Sequence, residues 1–350
     1  MISSQCFTTK WIDHLREKHR RTDPGLLEKT IYAFELLGLL ARTDQPFIFK
    51  GGTALLIHLN DLNRLSIDID IVGSLDQVDL EEAIKGSVFI DIREDIRADG
   101  QIPKKHYLFR YHSQFPQRNP YVLLDILEVK NPYSKIIKKK IQSDLFLVDE
   151  ELTVSIPSID SLLGDKLTAF APETIGVLYH TDKSMEIIKQ LYDVGKLIDH
   201  AQDVRVIDSS YKNLCKLEGG FHQKKCTYND VLEDTIQTSY LLCQIDLRGY
   251  EENDKTRELR QGVRQIQSHL LNMQFSLQDA KVAASKAAFL AYALKSNFKL
   301  DPFQYRYNPD KIMELRDTEI KGRFSILNRI KSSLPEAFYY WYLISQWENA

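Results

Sequence analysis

Cysteine is scarce in this 350-residue chain, which contains four: Cys6, Cys215, Cys226 and Cys243. No two of them form a C-x-x-C pair, and no histidines lie at zinc-binding spacing beside them. The sequence therefore predicts neither a zinc site nor a disulfide framework. Reduced thiols are typical of the cytoplasm, which is the compartment that we expect.

Long hydrophobic runs are also missing. The longest apolar stretch, residues 31–41, contains Glu35 and is too short to span a bilayer. Residues 1–21 lack the apolar segment of a secretory signal. We find no internal repeat and no low-complexity tract. With 43% hydrophobic and 27% charged residues, the composition predicts a globular protein with two or three cores.

The net charge of −3 conceals an asymmetry along the chain. Residues 255–331 contain 15 Lys/Arg and 7 Asp/Glu, so this segment carries +8 and the remainder −11. A basic part joined to an acidic, metal-suited part is expected where one binds a polyanion and the other performs chemistry. A solvated helical surface would give the same composition, and both interpretations stay open.

Residues 47–59 predict a strand followed directly by a helix. The apolar residues 47–49 have strand character, and 54–59 read as helix. Between them, Gly51 and Gly52 let the backbone turn with φ > 0 and let a ligand approach closely. The unpaired N–H groups at the start of such a helix, from Gly51 to Thr53, form a site for an anion such as a phosphate.

Residues 64–72 alternate strictly between polar and apolar side chains. Ser66, Asp68 and Asp70 would share one face of a strand, with isoleucines on the buried face. Neighbouring carboxylates repel each other unless water or a divalent cation neutralises them, and Mg²⁺ prefers carboxylate oxygens together with substrate phosphates. A phosphate cradle followed by Asp-x-Asp indicates metal-assisted nucleotidyl transfer. The alternative is an edge strand with a solvated acidic face.

Residues 121–129 form a strong predicted strand with Asp125 inside an apolar run. A charge at such a position is costly unless it is paired or metal-bound. If this strand lies beside that of Asp68, Asp125 becomes a third metal-binding carboxylate. A structural aspartate that accepts backbone N–H groups is the equal alternative.

Two later helices carry further polar candidates. Lys166 lies within the apolar stripe of a helix that Ser158 caps, where its charge either reaches a triphosphate or a metal-bound carboxylate, or snorkels to the rim. Lys189 and Asp193 are four residues apart on the helix of residues 183–197. They form either a surface ion pair or a second polar arm of the site.

The rest of the chain predicts helices with irregular links. Lys135–Lys140 could contact phosphates or be a solvated turn, of which we favour the turn, and Gly219-Gly220 is interpreted as a loop. The aromatic segment of residues 338–344 is expected to close a core. The main helices after residue 205 are predicted over residues 228–246, 257–275, 279–297 and 311–331.

The segment FKGGTAL at residues 49–55, followed by Arg64-x-Ser66-x-Asp68-x-Asp70, resembles the AbiEii/AbiGii abortive-infection nucleotidyltransferase toxins of the DNA polymerase β-like superfamily. IPSIDSLLGDKLTA at 156–169 is similar to the family's helix with an active-site lysine, Lys166. KQLYD at 189–193 is similar to its basic-acidic-x-x-Asp segment, although Gln190 stands where the family has an acid. The resemblance covers residues 30–200.

The resemblance implies a nucleotidyltransferase that uses an NTP and two Mg²⁺ ions, with Mn²⁺ as a substitute. Gly51, Gly52 and Thr53 would hold the triphosphate with help from Ser66, and Lys166 would neutralise it. Asp193 and Lys189 would position Lys166 or the acceptor. The metal ligands would be Asp68, Asp70 and Asp125, the last also receiving the proton of a 3′-hydroxyl.

These observations predict an α+β fold, with a nucleotidyltransferase-type mixed sheet and flanking helices followed by a helical C-terminal domain. The expected domains are N-terminal helices (1–45), a catalytic domain (46–204) and a helical, basic domain (205–350). We expect a cytoplasmic toxin of a toxin–antitoxin or abortive-infection phage-defence system that modifies RNA, in particular tRNA, and has a cognate antitoxin. The alternatives are modification of a protein hydroxyl, or a non-catalytic RNA- or protein-binding module with a relict site.

Overall fold

The computed structural model describes residues 1–19, 22–43, 45–59, 63–97, 102–116, 119–222, 225–296 and 301–348. The chain forms two compact units. The first comprises Met1–Ser158 and Ser268–Gln274, and the second comprises Ile159–Gln267 and Phe275–Ala350. The expected α+β class is confirmed, because a mixed sheet in the first unit is followed by helices in the second.

Packing divides the chain at a different place from the predicted boundary at 204/205. The helices of residues 159–200 pack on later helices of the second unit. The sequence-based division grouped these helices with the sheet because they carry the predicted site residues Lys166 and Asp193, which is a functional criterion.

The first unit contains four helices and seven strands in its described residues. The helices are α1 (Thr9–Lys18), α2 (Pro24–Ala41), α3 (Gly51–His58) and α4 (Gln77–Ile84). The strands are β1 (Phe47–Lys50), β2 (Ile69–Gly73), β3 (Phe89–Glu94), β4 (Lys104–Tyr111), β5 (Tyr121–Leu127), β6 (Ile136–Lys140) and β7 (Thr153–Pro157).

The main sheet has five strands in the order β1-β2-β5-β4-β3. The β2–β5 pair is parallel and the other pairs are antiparallel. Ile69 and Ile71 on β2 and Leu124 and Ile126 on β5 are fully buried in one core cluster with apolar residues of α2. Because side chains alternate along a strand, the opposite face of the same strands carries their polar residues.

Helix α2 shows why the predicted N-terminal helix forms at this place. The Asp23 side chain accepts a hydrogen bond from the N–H of Leu26, and Pro24 occupies the first turn, where its missing N–H costs nothing. The following apolar residues, among them Leu27, Ile31 and Phe34, are buried against the sheet.

The predicted turn at Lys135–Lys140 is wrong, since residues 136–140 form β6 and pair antiparallel with β7. Pairing with β7 satisfies the backbone of this lysine-rich segment, while Lys138 and Lys140 remain exposed. A strand with such a polar outer side gives no clear sequence signal.

The second unit is helical in its described residues. Its helices are α5 (Ile159–Ala169), α6 (Ser184–His200), α7 (Val204–His222), α8 (Tyr228–Gln244), α9 (Asp254–Gln265), α10 (Leu277–Lys295) and α11 (Pro335–Glu348). The alanine-rich α10 packs on α6, α8 and α11. The predicted role of the aromatic segment is confirmed, because Phe338, Tyr340 and Trp341 of α11 are buried.

Three local predictions in the second unit are wrong. Gly219 and Gly220 lie inside α7 rather than in a loop. The predicted helix 257–275 ends as α9 at Gln265 and continues only as a 3₁₀ turn. The predicted helix 311–331 is two 3₁₀ segments, Pro309–Leu315 and Gly322–Ile330, because Gly322 has a φ of +70° that an α-helix excludes.

None of the helices in the described part of the chain combines the length and the hydropathy that a bilayer-spanning segment requires.

Candidate active site

The turn between β1 and α3 is built on two glycines. Gly51 is the first residue of α3 and has a φ of +77°, which glycine adopts without strain. A Cβ atom at this position would overlap the carboxylate of Asp70. At Gly52, a Cβ would lie 2.7 Å from Nη2 of Arg64 and 3.0 Å from Oγ of Ser66. Polar side chains thus lie directly against both glycines, so neither position has space for a larger residue.

Thr53 anchors the segment that carries the acidic residues. Its side chain is fully buried. Its Oγ1 donates to the carbonyl of Asp68 at 2.6 Å and lies 2.8 Å from Oγ of Ser66. The hydroxyl therefore holds residues 66–68 in place, which leaves the backbone N–H of Thr53 as the group suited to a phosphate.

The predicted acidic residues begin at the end of an extended segment and continue into the sheet. Ser66 and Asp68 precede β2 rather than belonging to it, since β2 begins at Ile69. Ser66, Asp68 and Asp70 are nevertheless all half-buried, while Ile69 and Ile71 are fully buried. The predicted separation of polar and apolar faces holds from Ile69 onward, whereas Ile67 is half-buried like its polar neighbours and the regular strand is shorter than predicted.

Asp125 lies where the sequence-based hypothesis required it. In the parallel β2–β5 ladder, Asp70 and Asp125 are direct partners. Lys50 on β1 is in turn the partner of Asp70, and His106 on β4 is the partner of Asp125. Directly opposite residues of neighbouring strands share one face of a sheet, so four polar residues form a row with two carboxylates at its centre.

Two residues that border these carboxylates were missed in the sequence. The ammonium of Lys29 on α2 lies 3.7 Å from Oδ1 of Asp68 and 4.8 Å from the ring centroid of Tyr121. Burial is the main influence on the Lys29 side chain and lowers its pKa, while Asp68 opposes this effect. His106 lies 2.6 Å from Asp125. Both are distant in sequence from their partners, so only the pairing of elements identifies them.

The second unit contains the other predicted site residues. Lys166 on α5 and Asp193 on α6 form an ion pair, with Nζ 3.2 Å from Oδ2. Gln190 accepts a second hydrogen bond from the same ammonium at 3.1 Å. The position that departs from the family pattern therefore still contacts the lysine. Lys189 is half-buried on the same helix.

The donor set of the first unit suits one kind of metal ion. Among the residues that the structure describes, no group of three or more His, Cys, Asp or Glu side chains is arranged to hold a metal ion. Asp70 and Asp125 alone provide two adjacent carboxylates. Mg²⁺ is commonly bound by one or two carboxylates together with substrate phosphates, and the Asp70 carboxylate lies directly against the glycine turn that opens α3. The residues therefore fit Mg²⁺ delivered with a nucleotide.

Comparison with protein families decides the assignment. The family described as nucleotidyl transferase AbiEii toxin, type IV TA system, matches residues 38–296. This span includes the glycine turn, the aspartates, Lys166 and Asp193. The chain belongs to this family. As an AbiEii family member it is a nucleotidyltransferase toxin of a type IV toxin–antitoxin system, and the family implies an antitoxin partner.

Two solved structures are similar to this AbiEii family member at low identity. JHP933 from Helicobacter pylori is 17% identical, with a TM-score of 0.44, over 78% of this chain and 94% of its own. An antigenic nucleotidyltransferase-like protein from Paracoccidioides brasiliensis is 13% identical, with a TM-score of 0.36, over 56% of this chain and 91% of its own. Among curated proteins, none matches the sequence.

Proposed function

We propose that this AbiEii family member transfers a nucleoside monophosphate from an NTP to the 3′-hydroxyl of an RNA, in particular tRNA. The observation that carries the proposal is the pairing of Asp70 and Asp125 on adjacent strands, with the Asp70 carboxylate against Gly51. This arrangement brings two carboxylates and a helix N-terminus to the same part of one unit, which is what phosphoryl transfer to a hydroxyl needs.

Each residue of the first unit has a defined task in this proposal. The backbone N–H groups of Gly51, Gly52 and Thr53 hold the triphosphate, and Ser66 contacts its terminal phosphates. The adjacent carboxylates of Asp70 and Asp125 would hold Mg²⁺, with Asp68 as the third expected ligand. When bound, two Mg²⁺ ions would polarise the transferred phosphate and neutralise the leaving pyrophosphate.

Asp125 has a second task, because the attacking hydroxyl must lose its proton. A carboxylate beside the acceptor can take that proton while the P–O bond to the pyrophosphate breaks. In the second unit, the resemblance to the family assigns Lys166 to the triphosphate charge. Asp193 pairs with its ammonium, and Lys189 would position Lys166 or the acceptor.

Part of the basic segment of residues 255–331 supports the choice of RNA as acceptor. Arg260, Lys286, Lys295 and Arg323 of this segment pair with carboxylates outside it, so their charge is neutralised internally. Other basic residues of the segment are exposed, among them Lys311, Arg316, Lys321 and Arg329. These are the residues that we assign to a polyanion.

The central test is labelling with each of the four α-³²P NTPs, Mg²⁺, and cellular RNA plus protein. We expect label in the tRNA fraction with the wild type and none with Asp68→Asn. Glu82→Gln, which removes a carboxylate with 76% exposure on α4, should label normally. Label in protein alone would replace RNA by a protein hydroxyl as the acceptor, and no label in any fraction would indicate a non-catalytic module.

The acceptor assignment has an independent test. Replacing Arg316, Lys321 and Arg329 by glutamine should weaken tRNA binding and lower the slope of log K against log salt, since each lost phosphate contact reduces that slope by about one unit or less. A triple replacement of exposed acids in the same region, Asp310, Glu314 and Asp317 by asparagine or glutamine, is the control. An unchanged salt slope in the arginine–lysine variant would contradict the assignment.

A further inference from the structure

His106 is a buried histidine that the proposed function does not use, and it lies beside one of the proposed metal ligands. It is directly opposite Asp125 in the antiparallel β4–β5 ladder. Its Nδ1 atom lies 2.6 Å from Oδ1 of Asp125. The histidine is only 5% exposed, whereas the Asp125 side chain is 28% exposed. The aspartate can therefore be reached from solvent while its partner is held inside the protein.

The strand explains why His106 faces the carboxylates. Its neighbours Tyr107 and Phe109 belong to the apolar core cluster. Because adjacent side chains of a strand point to opposite faces, His106 projects from the polar face that carries Asp70 and Asp125. A buried polar ring at this position needs a hydrogen-bond partner, and Asp125 provides one.

The chemistry of the pair fixes the direction of the hydrogen bond. An ionised carboxylate can only accept hydrogen bonds. The Nδ1 atom of His106 therefore carries the ring N–H and donates a hydrogen bond to Oδ1 of Asp125. This bond occupies one oxygen of Asp125 and restricts the rotation of its side chain. The other oxygen, Oδ2, lies outside this bond, and its direction is set by the same restraint.

We infer that His106 is a positioning residue for Asp125, which orients the carboxylate for cation binding and for accepting the hydroxyl proton. This inference rests on the proposed function. Partners that hydrogen-bond to a ligating carboxylate or histidine orient it, and removing them typically costs about 10–100-fold in metal affinity or activity. We expect an effect of this size at His106.

Two substitutions separate hydrogen bonding from the filling of space. His106→Leu fills most of the volume without a donor, while His106→Asn keeps an N–H donor near the position of Nδ1. With NTP and acceptor RNA, the leucine variant should lose about 10–100-fold in kcat with little change in KM for the NTP. The asparagine variant should recover most of this loss. Equal losses in both variants, or none in the leucine variant, would overturn the inference.

A binding measurement gives a readout that does not depend on turnover. Mn²⁺ affinity of the free protein is measured by electron paramagnetic resonance for the wild type and both variants, with His14→Leu on the exposed side of α1 as control. We expect weaker binding in His106→Leu and near-normal binding in His106→Asn and His14→Leu, with thermal midpoints within a few degrees. Equal Mn²⁺ affinity in wild type and His106→Leu would overturn the inference about His106 but not the proposed function. A wild type that neither binds Mn²⁺ nor transfers nucleotides would overturn the proposed function and the inference together.

Discussion

Lys166 and Asp193 form an ion pair that is almost completely removed from water. Their side chains are 9% and 0% exposed, and the charged atoms are 3.2 Å apart. Desolvating two charges costs several kcal/mol per ion, which a single contact repays only with good geometry and further hydrogen bonds. Gln190 supplies one such bond to the lysine. The pair by itself is therefore weak evidence for a net gain in stability, whereas removing one partner leaves an uncompensated buried charge.

The first prediction concerns the contribution of this ion pair to stability. Asp193→Ala leaves the Lys166 ammonium buried without its carboxylate, so the free energy of unfolding should fall by about 3–5 kcal/mol. Urea denaturation followed by circular dichroism measures this change. The double variant Lys166→Met/Asp193→Leu removes both charges and should be more stable than Asp193→Ala. A single variant that loses less than about 1 kcal/mol would show that the pair is hydrated in solution.

Much of the fold follows from signals that are local in the sequence. The Asp23-Pro24 start of α2 and the polar–apolar alternation of residues 66–72 each depend on residues that are close in the chain. The sequence signals failed where longer-range pairing decides the conformation. Residues 136–140 form β6 only because β7 supplies its hydrogen-bond partners, and Gly219 and Gly220 stay helical within the long α7.

The candidate site shows the same limit. Gly51, Asp68 and Asp70 could be found from their spacing, because the turn and the following segment place them together. The assignment of Asp125 depended on an assumption about which strands are neighbours, and the β2–β5 register supports that assumption. Lys29 and His106 could not be found, since neither their residue types nor their spacing distinguishes them from ordinary helix and strand residues.

Gly51 supplies the second prediction. Gly51→Ala places a methyl group where the Asp70 carboxylate lies and forces alanine to a φ of +77°. The positive φ alone costs an L-residue about 1–2 kcal/mol. We expect that loss in urea denaturation, and a fall in nucleotidyl transfer of at least tenfold because Asp70 must move.

The matched control is Gly220→Ala. Gly220 lies inside α7, and a Cβ there would meet no atom within 4 Å. Alanine favours a helix over glycine by about 0.5–1 kcal/mol, so this variant should be slightly more stable than the wild type, with unchanged transfer. Equal effects of the two substitutions would mean that the contact between Gly51 and Asp70 does not constrain the site.

Lys29 supplies the third prediction. Its ammonium competes with a metal ion for Asp68, because both are cations at the same carboxylate. The Asp68 side chain is 42% exposed, and such a pair contributes about 0.2–1 kcal/mol. Lys29→Met should therefore bind Mn²⁺ up to about fivefold more tightly than the wild type.

Two further variants test the specificity of this effect. Lys29→Arg keeps the positive charge and should retain wild-type affinity for Mn²⁺. Lys18→Met removes an exposed lysine of α1 and should also have no effect. If Mn²⁺ binding to Lys29→Met were weaker than to the wild type, Lys29 would have to support the cation site rather than compete with it.

His58 supplies the last prediction, which concerns pH. It is the final residue of α3, and its Nε2 lies 2.8 Å from the carbonyl oxygen of Pro157, to which it donates. Burial lowers the pKa of His58 from 6.5 to about 4, with a smaller contribution in the same direction from Lys139. The folded protein therefore binds this proton more weakly than the unfolded chain does.

The sign of the pH effect follows from this difference. The contribution of the neutral His58 is fully present above pH 6.5 and is lost progressively as the pH falls towards about 4. Between pH 6.5 and pH 5 the free energy of unfolding should fall by about 2 kcal/mol through this group. His58→Gln keeps an N–H donor for Pro157 but does not titrate.

Urea denaturation of the wild type and of His58→Gln at several pH values measures this effect, because the contributions of other acid-sensitive groups cancel in the comparison. The stability of the wild type relative to His58→Gln should decline on acidification. A constant or rising difference would show that His58 is solvated and does not fix the end of α3 to Pro157.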